Sequence, residues 1–91
     1  MPRWTVIESP EFAIDLQKLG PKAHSWADTM LGVRWYLERD PFGVGYETQD
    51  EEMRILMWDT PDGLPDLKIF YLVEPLTVRL LRAKVDEPLP F

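Results

Sequence analysis

Two runs constrain this chain more than anything else in it. Leu67-Lys-Ile-Phe-Tyr-Leu-Val-Glu74 and Thr77-Val-Arg-Leu-Leu-Arg-Ala-Lys-Val85 are apolar, β-branched and aromatic, and only Pro75 and Leu76 separate them. That is a strand–turn–strand signal. The pair also carries four of the chain's ten basic residues, Lys68, Arg79, Arg82 and Lys84. Positive charge is therefore concentrated where a rigid sheet is most strongly predicted.

Upstream, Arg3 to Glu8 alternates with β-branched residues throughout and predicts a first strand. Ser9-Pro10-Glu11 then opens a helix: serine caps free N–H groups, proline at the first position loses no hydrogen bond, and glutamate suits the positive helix end. Phe12, Leu16 and Leu19 recur at i, i+4, i+7 as its buried stripe, and Gly20-Pro21 stops it. A second helix spans about Lys22 to Arg39, with Ala23, Trp26, Ala27, Met30, Leu31 and Leu37 at helical spacing. Gly32 weakens its middle by ~1 kcal/mol relative to alanine.

Asp40-Pro41 ends that helix. Phe42 to Glu52 reads as a loop, Met53 to Trp58 as the second strand, Thr60 to Asp66 as a long turn, and 86–91 as an irregular tail. The order β-α-α-β-β-β predicts an α+β fold. It consists of an antiparallel four-stranded sheet, the first strand at one edge, with a two-helix hairpin packed on one face. Strict alternation puts Ile69, Tyr71 and Val73 on one side, Lys68, Phe70 and Leu72 on the other, and Arg79 on the face opposite Arg82. The surface away from the helices keeps apolar groups mixed with bases, which suits a partner better than water.

With 91 residues, 45% of them apolar, the chain has material for one core and a single domain over residues 1–91. It has no cysteine and one histidine, His24, which argues against a disulfide framework, a zinc site or another metal site, and no cofactor is expected. Met1-Pro-Arg-Trp4 lacks the apolar core of a signal peptide, and no run approaches the ~18 apolar residues of a membrane span. The expectation is a soluble, cytoplasmic protein with no membrane partner. The net charge of −6 is unevenly spread: residues 40–66 hold eight acids against Arg54, whereas 67–85 hold four bases against Glu74. A local basic patch on an acidic protein follows.

There is no glycine-rich phosphate loop, nucleophile elbow or metal-ligand cluster. His24 reads as a surface residue, Asp50-Glu51-Glu52 as a solvated loop, and Trp4, Trp26, Trp35 and Trp58 mostly as core. Only the basic set has a chemical story. Arg54, Lys68, Arg79 and Arg82 lie on strands that a meander sets side by side, about 5 Å apart, where they can converge on phosphates. Such groups stabilise the charge of a phosphoryl-transfer transition state without a metal. Tyr71 can assist as acid or base if its pKa is depressed. The plainer reading is cross-strand ion pairing on a solvated face.

The elements together resemble the RelE/ParE-like toxin superfamily of bacterial type II toxin–antitoxin systems. Trp4-Thr-Val-Ile-Glu-Ser-Pro-Glu-Phe-Ala-Ile-Asp-Leu-Gln-Lys-Leu-Gly20 is similar to its first strand and helix, Leu37-Glu-Arg-Asp-Pro41 to the end of its second helix, and Leu67 to Ala83 to its hairpin. In the family pattern aromatic-Arg-x-x-Tyr, Lys68 stands for the arginine, Tyr71 for the tyrosine and Leu67 for the aromatic. The resemblance implies a toxin held inactive by a cognate antitoxin, as a homodimer or a toxin–antitoxin hetero-oligomer. It would act as a metal-independent, ribosome-dependent mRNA endonuclease (an mRNA interferase). The alternatives are a ParE-like inhibitor of DNA gyrase and a non-catalytic protein-binding domain. It also implies Lys68, Tyr71 and Arg82 as catalytic residues and Arg54, Arg79 and Lys84 as RNA-binding ones. Three features depart from the RNA-cutting pattern: lysine lacks arginine's bidentate fork, the tail carries no catalytic tyrosine or histidine, and the overall charge is acidic.

Overall fold

The computed structural model describes residues 3–18, 23–50, 52–59 and 66–86, excluding the side chains of 23–27 and 86. The elements are β1 (Thr5–Glu8), α1 (Pro10–Lys18), α2 (Ala23–Arg39), β2 (Tyr46–Glu47), β3 (Met53–Trp58), β4 (Asp66–Glu74) and β5 (Thr77–Asp86). They form one five-stranded sheet in the order β1-β5-β4-β3-β2. The helices and the hairpin lie where the sequence predicts them. The sheet differs in two ways.

First, it has five strands, not four. The extra strand, β2, is two residues long inside the expected loop and pairs Tyr46 with Ile55 and Glu47 with Arg54. Two residues directly after Gly45 leave no alternation to read. Second, β1 runs parallel to β5, pairing Thr5 with Thr77 through Glu8 with Leu80, while the other pairs are antiparallel. A strand's own pattern carries its faces but not its direction, which the path of the two helices sets here.

Ser9 caps α1 as expected: its Oγ accepts the Phe12 N–H at 3.1 Å and its hydroxyl donates to the Leu81 carbonyl at 3.1 Å. The buried stripe of α1 is Phe12 with Asp15, Leu16 being half-buried and Leu19 outside the described residues. Among the described side chains of α2 the buried ones are Thr29, Met30, Val33 and Leu37, whereas Leu31 is 69% exposed and Ala23 and Ala27 lie outside the described side chains. The stripe runs 30, 33, 37, and position 31 lies about 100° around the helix from 30. Gly32 gives room as well as weakness, since a Cβ there would come within 2.9 Å of the Trp58 ring. Of the expected core tryptophans, Trp4 and Trp58 pack against the core, Trp35 is half-exposed, and the Trp26 side chain is outside the description.

The core lies between the helices and one sheet face. It joins Val6, Leu56, Leu67, Ile69, Tyr71, Val78, Leu80 and Ala83 of the strands to Phe12, Met30, Val33 and Leu37 of the helices. The free edge of β1 is partly closed by α2: the Trp4 N–H donates to the Glu38 carbonyl at 3.0 Å, Arg34 donates to the Val6 carbonyl at 3.1 Å, and Arg34 also pairs with Glu8. No helix among the described residues is long and apolar enough to cross a membrane.

Candidate target-binding face

The β4–β5 ladder runs Glu74–Thr77, Leu72–Arg79, Tyr71–Leu80 and then Phe70–Arg82, so Leu81 is an extra residue, a β-bulge. The bulge shifts the phase of β5 by one. Val78 and Leu80 before it and Ala83 after it are all buried, while Arg79, Arg82 and Lys84 are all exposed. The expectation that Arg79 and Arg82 point to opposite faces is therefore corrected. Both lie on the face away from the helices, together with Lys84 and Lys68.

That face carries Lys68, Phe70 and Leu72 of β4, and Met53, Ile55 and Met57 of β3, none of them fully buried. Tyr46 and Ile7 extend it at the two edge strands and are about half-exposed. Partly exposed apolar side chains interleaved with bases and uncovered by any described element make this face a candidate for partner binding.

The four bases of this face are not equivalent. Arg82 holds Asp15 of α1 with two donors, Nε to Oδ2 at 2.7 Å and Nη2 to Oδ1 at 3.1 Å. Asp15 also accepts the Ala83 N–H at 2.9 Å, filling the edge of β5 beyond the end of β1. Arg82's hydrogen bond, aided by the Ala83 N–H, keeps this carboxyl below the usual carboxylate range despite its burial, and Asp15 in turn raises the guanidinium's pKa. Arg79 pairs with Glu74 at 2.8 Å. Lys84 Nζ sits 5.7 Å from the Phe70 ring centroid. Lys68 lies directly opposite Lys84 in the ladder, with Met57 on its other side.

Tyr71 and Arg54 are cross-strand neighbours on the other face, looking toward the helices. Tyr71 is fully buried and its hydroxyl donates to the Pro41 carbonyl at 2.7 Å. Burial pushes its pKa up, and nearby Arg54 offsets that only in part. Arg54 donates through Nη2 to the carbonyls of Phe42 at 2.7 Å and Gly45 at 3.2 Å, and its Nη1 is 3.8 Å from Glu47. These two side chains clamp the segment after α2 onto the sheet. Gly45 allows the close approach, because a Cβ there would fall 2.1 Å from the Tyr71 hydroxyl.

The structure thus brings together Lys68, Arg79, Arg82 and Lys84 and leaves Tyr71 and Arg54 behind the sheet. Two contributors escape the sequence reading. Phe70 lies among the bases, and Asp15 anchors Arg82. The signal for Asp15 is an acid on the buried side of α1, which demands a partner. Among the described residues no group of three or more His, Asp or Glu is placed to hold a metal.

A five-stranded sheet with two helices on one face and the other face open is a fold this chain shares with solved structures from toxin–antitoxin systems. The chain overlays on a chain of the RelBE2 toxin–antitoxin complex from Mycobacterium tuberculosis with TM-score 0.71, 23% identity and 94% coverage of each chain. It matches the chromosomal ParDE toxin–antitoxin system of P. aeruginosa with TM-score 0.67 and 19% identity over 92% of this chain and 97% of that one. A conserved hypothetical protein from Helicobacter pylori gives TM-score 0.62 and 21% identity over 90% and 93%. No protein-family model and no curated protein sequence matches the chain.

Proposed function

We propose that this chain is the toxin component of a type II toxin–antitoxin module, restrained by a cognate antitoxin. In this reading it acts by gripping its target through the uncovered face bearing Lys68, Phe70 and Lys84. The solved structures it overlays on include members of two toxin–antitoxin systems, which supports the module. Between cutting and binding, one observation favours binding. Tyr71, the residue assigned to proton transfer, is fully buried behind the sheet, with its hydroxyl committed to the Pro41 carbonyl and its pKa raised. A phenol there neither meets a phosphate held by Lys68 nor ionises readily. This supports a toxin that binds and blocks, in the manner of a ParE-like gyrase inhibitor, over an mRNA interferase.

The test is bacterial growth after tightly controlled induction, wild type beside Lys68→Ala/Lys84→Ala and Tyr71→Phe, with cellular mRNA ends mapped in each. The expected result is arrest by the wild type and by Tyr71→Phe, relief in the lysine variant, and no new mRNA ends. New ends that vanish with Tyr71→Phe would restore the endonuclease. No arrest by any version, with expression verified and no antitoxin present, would remove the toxin reading.

A further inference from the structure

A second surface sits at one end of the sheet, where β3 begins and β4 ends. A cleft of roughly 570 Å³ there is lined by Phe42, Glu47, Glu52, Arg54, Leu72, Val73, Glu74 and Pro75. That size falls in the range of about 300–1,000 Å³ typical of binding clefts. We propose that this cleft docks an extended segment of a partner protein in which apolar residues alternate with lysine or arginine.

Charge selects the occupant. Of the two cations bordering the cleft, Arg79 is paired with Glu74, and Arg54 donates through Nη2 to two backbone carbonyls with Glu47 nearby, while its buried Nε makes no hydrogen bond. Glu52 is exposed and has no ion-pair partner among the described residues, and the Glu47 side chain is 81% exposed. The cleft therefore shows the unpaired Glu52 and the largely exposed Glu47 above an apolar floor of Leu72, Val73 and Pro75. A basic residue flanked by hydrophobes fits both, whereas an acidic or nucleic-acid partner meets like charge.

Shape argues for a chain over a small molecule. Apolar surface continues past the cleft on both sides, with Phe42 57% exposed and Leu76, at the hairpin tip, 64% exposed. Leu76 has φ 63°, a conformation that glycine or asparagine adopts at less cost, so folding alone gives no reason for a leucine there. An occupant covering Phe42, the cleft and Leu76 must be several residues long. The proposal does not rest on the toxin reading, since it uses none of the bases Lys68, Arg82 and Lys84 and shares only Leu72 with the apolar part of the open sheet face.

The test is fluorescence anisotropy with a fluorescein-labelled (Leu-Lys)4 peptide against a (Leu-Glu)4 control, with backbone amide shifts mapped on addition. The basic peptide is expected to bind about tenfold or more tighter, a difference of ~1.4 kcal/mol, with shifts at Phe42, Glu47, Glu52 and 72–76. Glu52→Lys, at an exposed side chain, is expected to weaken it severalfold. Leu76→Gly, which suits the local φ, should weaken it while keeping thermal stability, and Lys68→Ala/Lys84→Ala should leave it unchanged. No binding, equal binding of the acidic peptide, shifts centred elsewhere, or indifference to Glu52→Lys would each overturn the proposal.

Discussion

Strand β4 separates two cationic regions of opposite character. On its inner side Arg54, its side chain 12% exposed, spends its Nη2 donors on the carbonyls of Phe42 and Gly45 beside the buried Tyr71. On its outer side Lys68 and Lys84 oppose each other in the open, and Arg82, its side chain 55% exposed, reaches across to Asp15. The same residue types do opposite work. Inside, a base substitutes for water around orphan carbonyls and fixes a loop. Outside, uncommitted charge remains available to a partner. Counting basic residues on a strand therefore overstates its binding charge until burial has sorted them.

Tyr71 is the most sensitive point of the inner side. Tyr71→Ala should cost about 3–5 kcal/mol by removing a fully buried aromatic ring. Tyr71→Phe, which leaves the Pro41 carbonyl without its donor, should cost about 1–3 kcal/mol. Urea unfolding measures both. A Tyr71→Phe variant as stable as the wild type would mean that the hydroxyl does not hold the segment after α2, and would free it for chemistry.

Asp15→Ala comes next, at about 1–3 kcal/mol, because it orphans the Ala83 N–H and frees Arg82. Asp15 also gives a pH signature. Its folded pKa lies below its unfolded value of about 3.9. The stability it contributes is then complete above that value and is lost as pH falls through the folded pKa. In melts taken from about pH 6 downward, the gap between wild type and Asp15→Asn should narrow below roughly pH 4. A constant gap would assign the effect to packing.

Much of the frame is legible in the sequence, for identifiable reasons. Ser9-Pro10-Glu11 has the chemistry of a helix start, and Ser9 makes the capping bond. Leu67 to Val85 holds two long strand-like runs with a two-residue break, and they pair. The outer face is less legible because of one residue. Around Leu81 apolar and basic side chains alternate in either phase, so a bulge and a straight strand look alike until the partner strand fixes the ladder. Leu31 misleads, and Asp15 goes unremarked, through the same rule. Spacing alone treats every apolar position near the stripe as buried and every acid as solvated, and the angle around the helix and a waiting arginine decide otherwise.

The smallest predicted effect sharpens the contrast most. Lys68 and Lys84 are directly opposed across the ladder, and like charges so placed destabilise a sheet by about 0.2–1 kcal/mol. Lys68→Ala should therefore leave stability unchanged or raise it by up to about 0.5 kcal/mol. Added salt should give the wild type a similar gain by screening the pair. The same substitution should weaken growth arrest, so function and stability move in opposite directions, as expected of a residue kept for its target. Asp66 lies one row further along the same face of β4. If attraction to that acid outweighs the repulsion between the lysines, Lys68→Ala will lower the melting temperature and salt will lower it too. That result would make the outer charges a self-neutralised part of the fold, and would erase the distinction drawn between the two sides of β4.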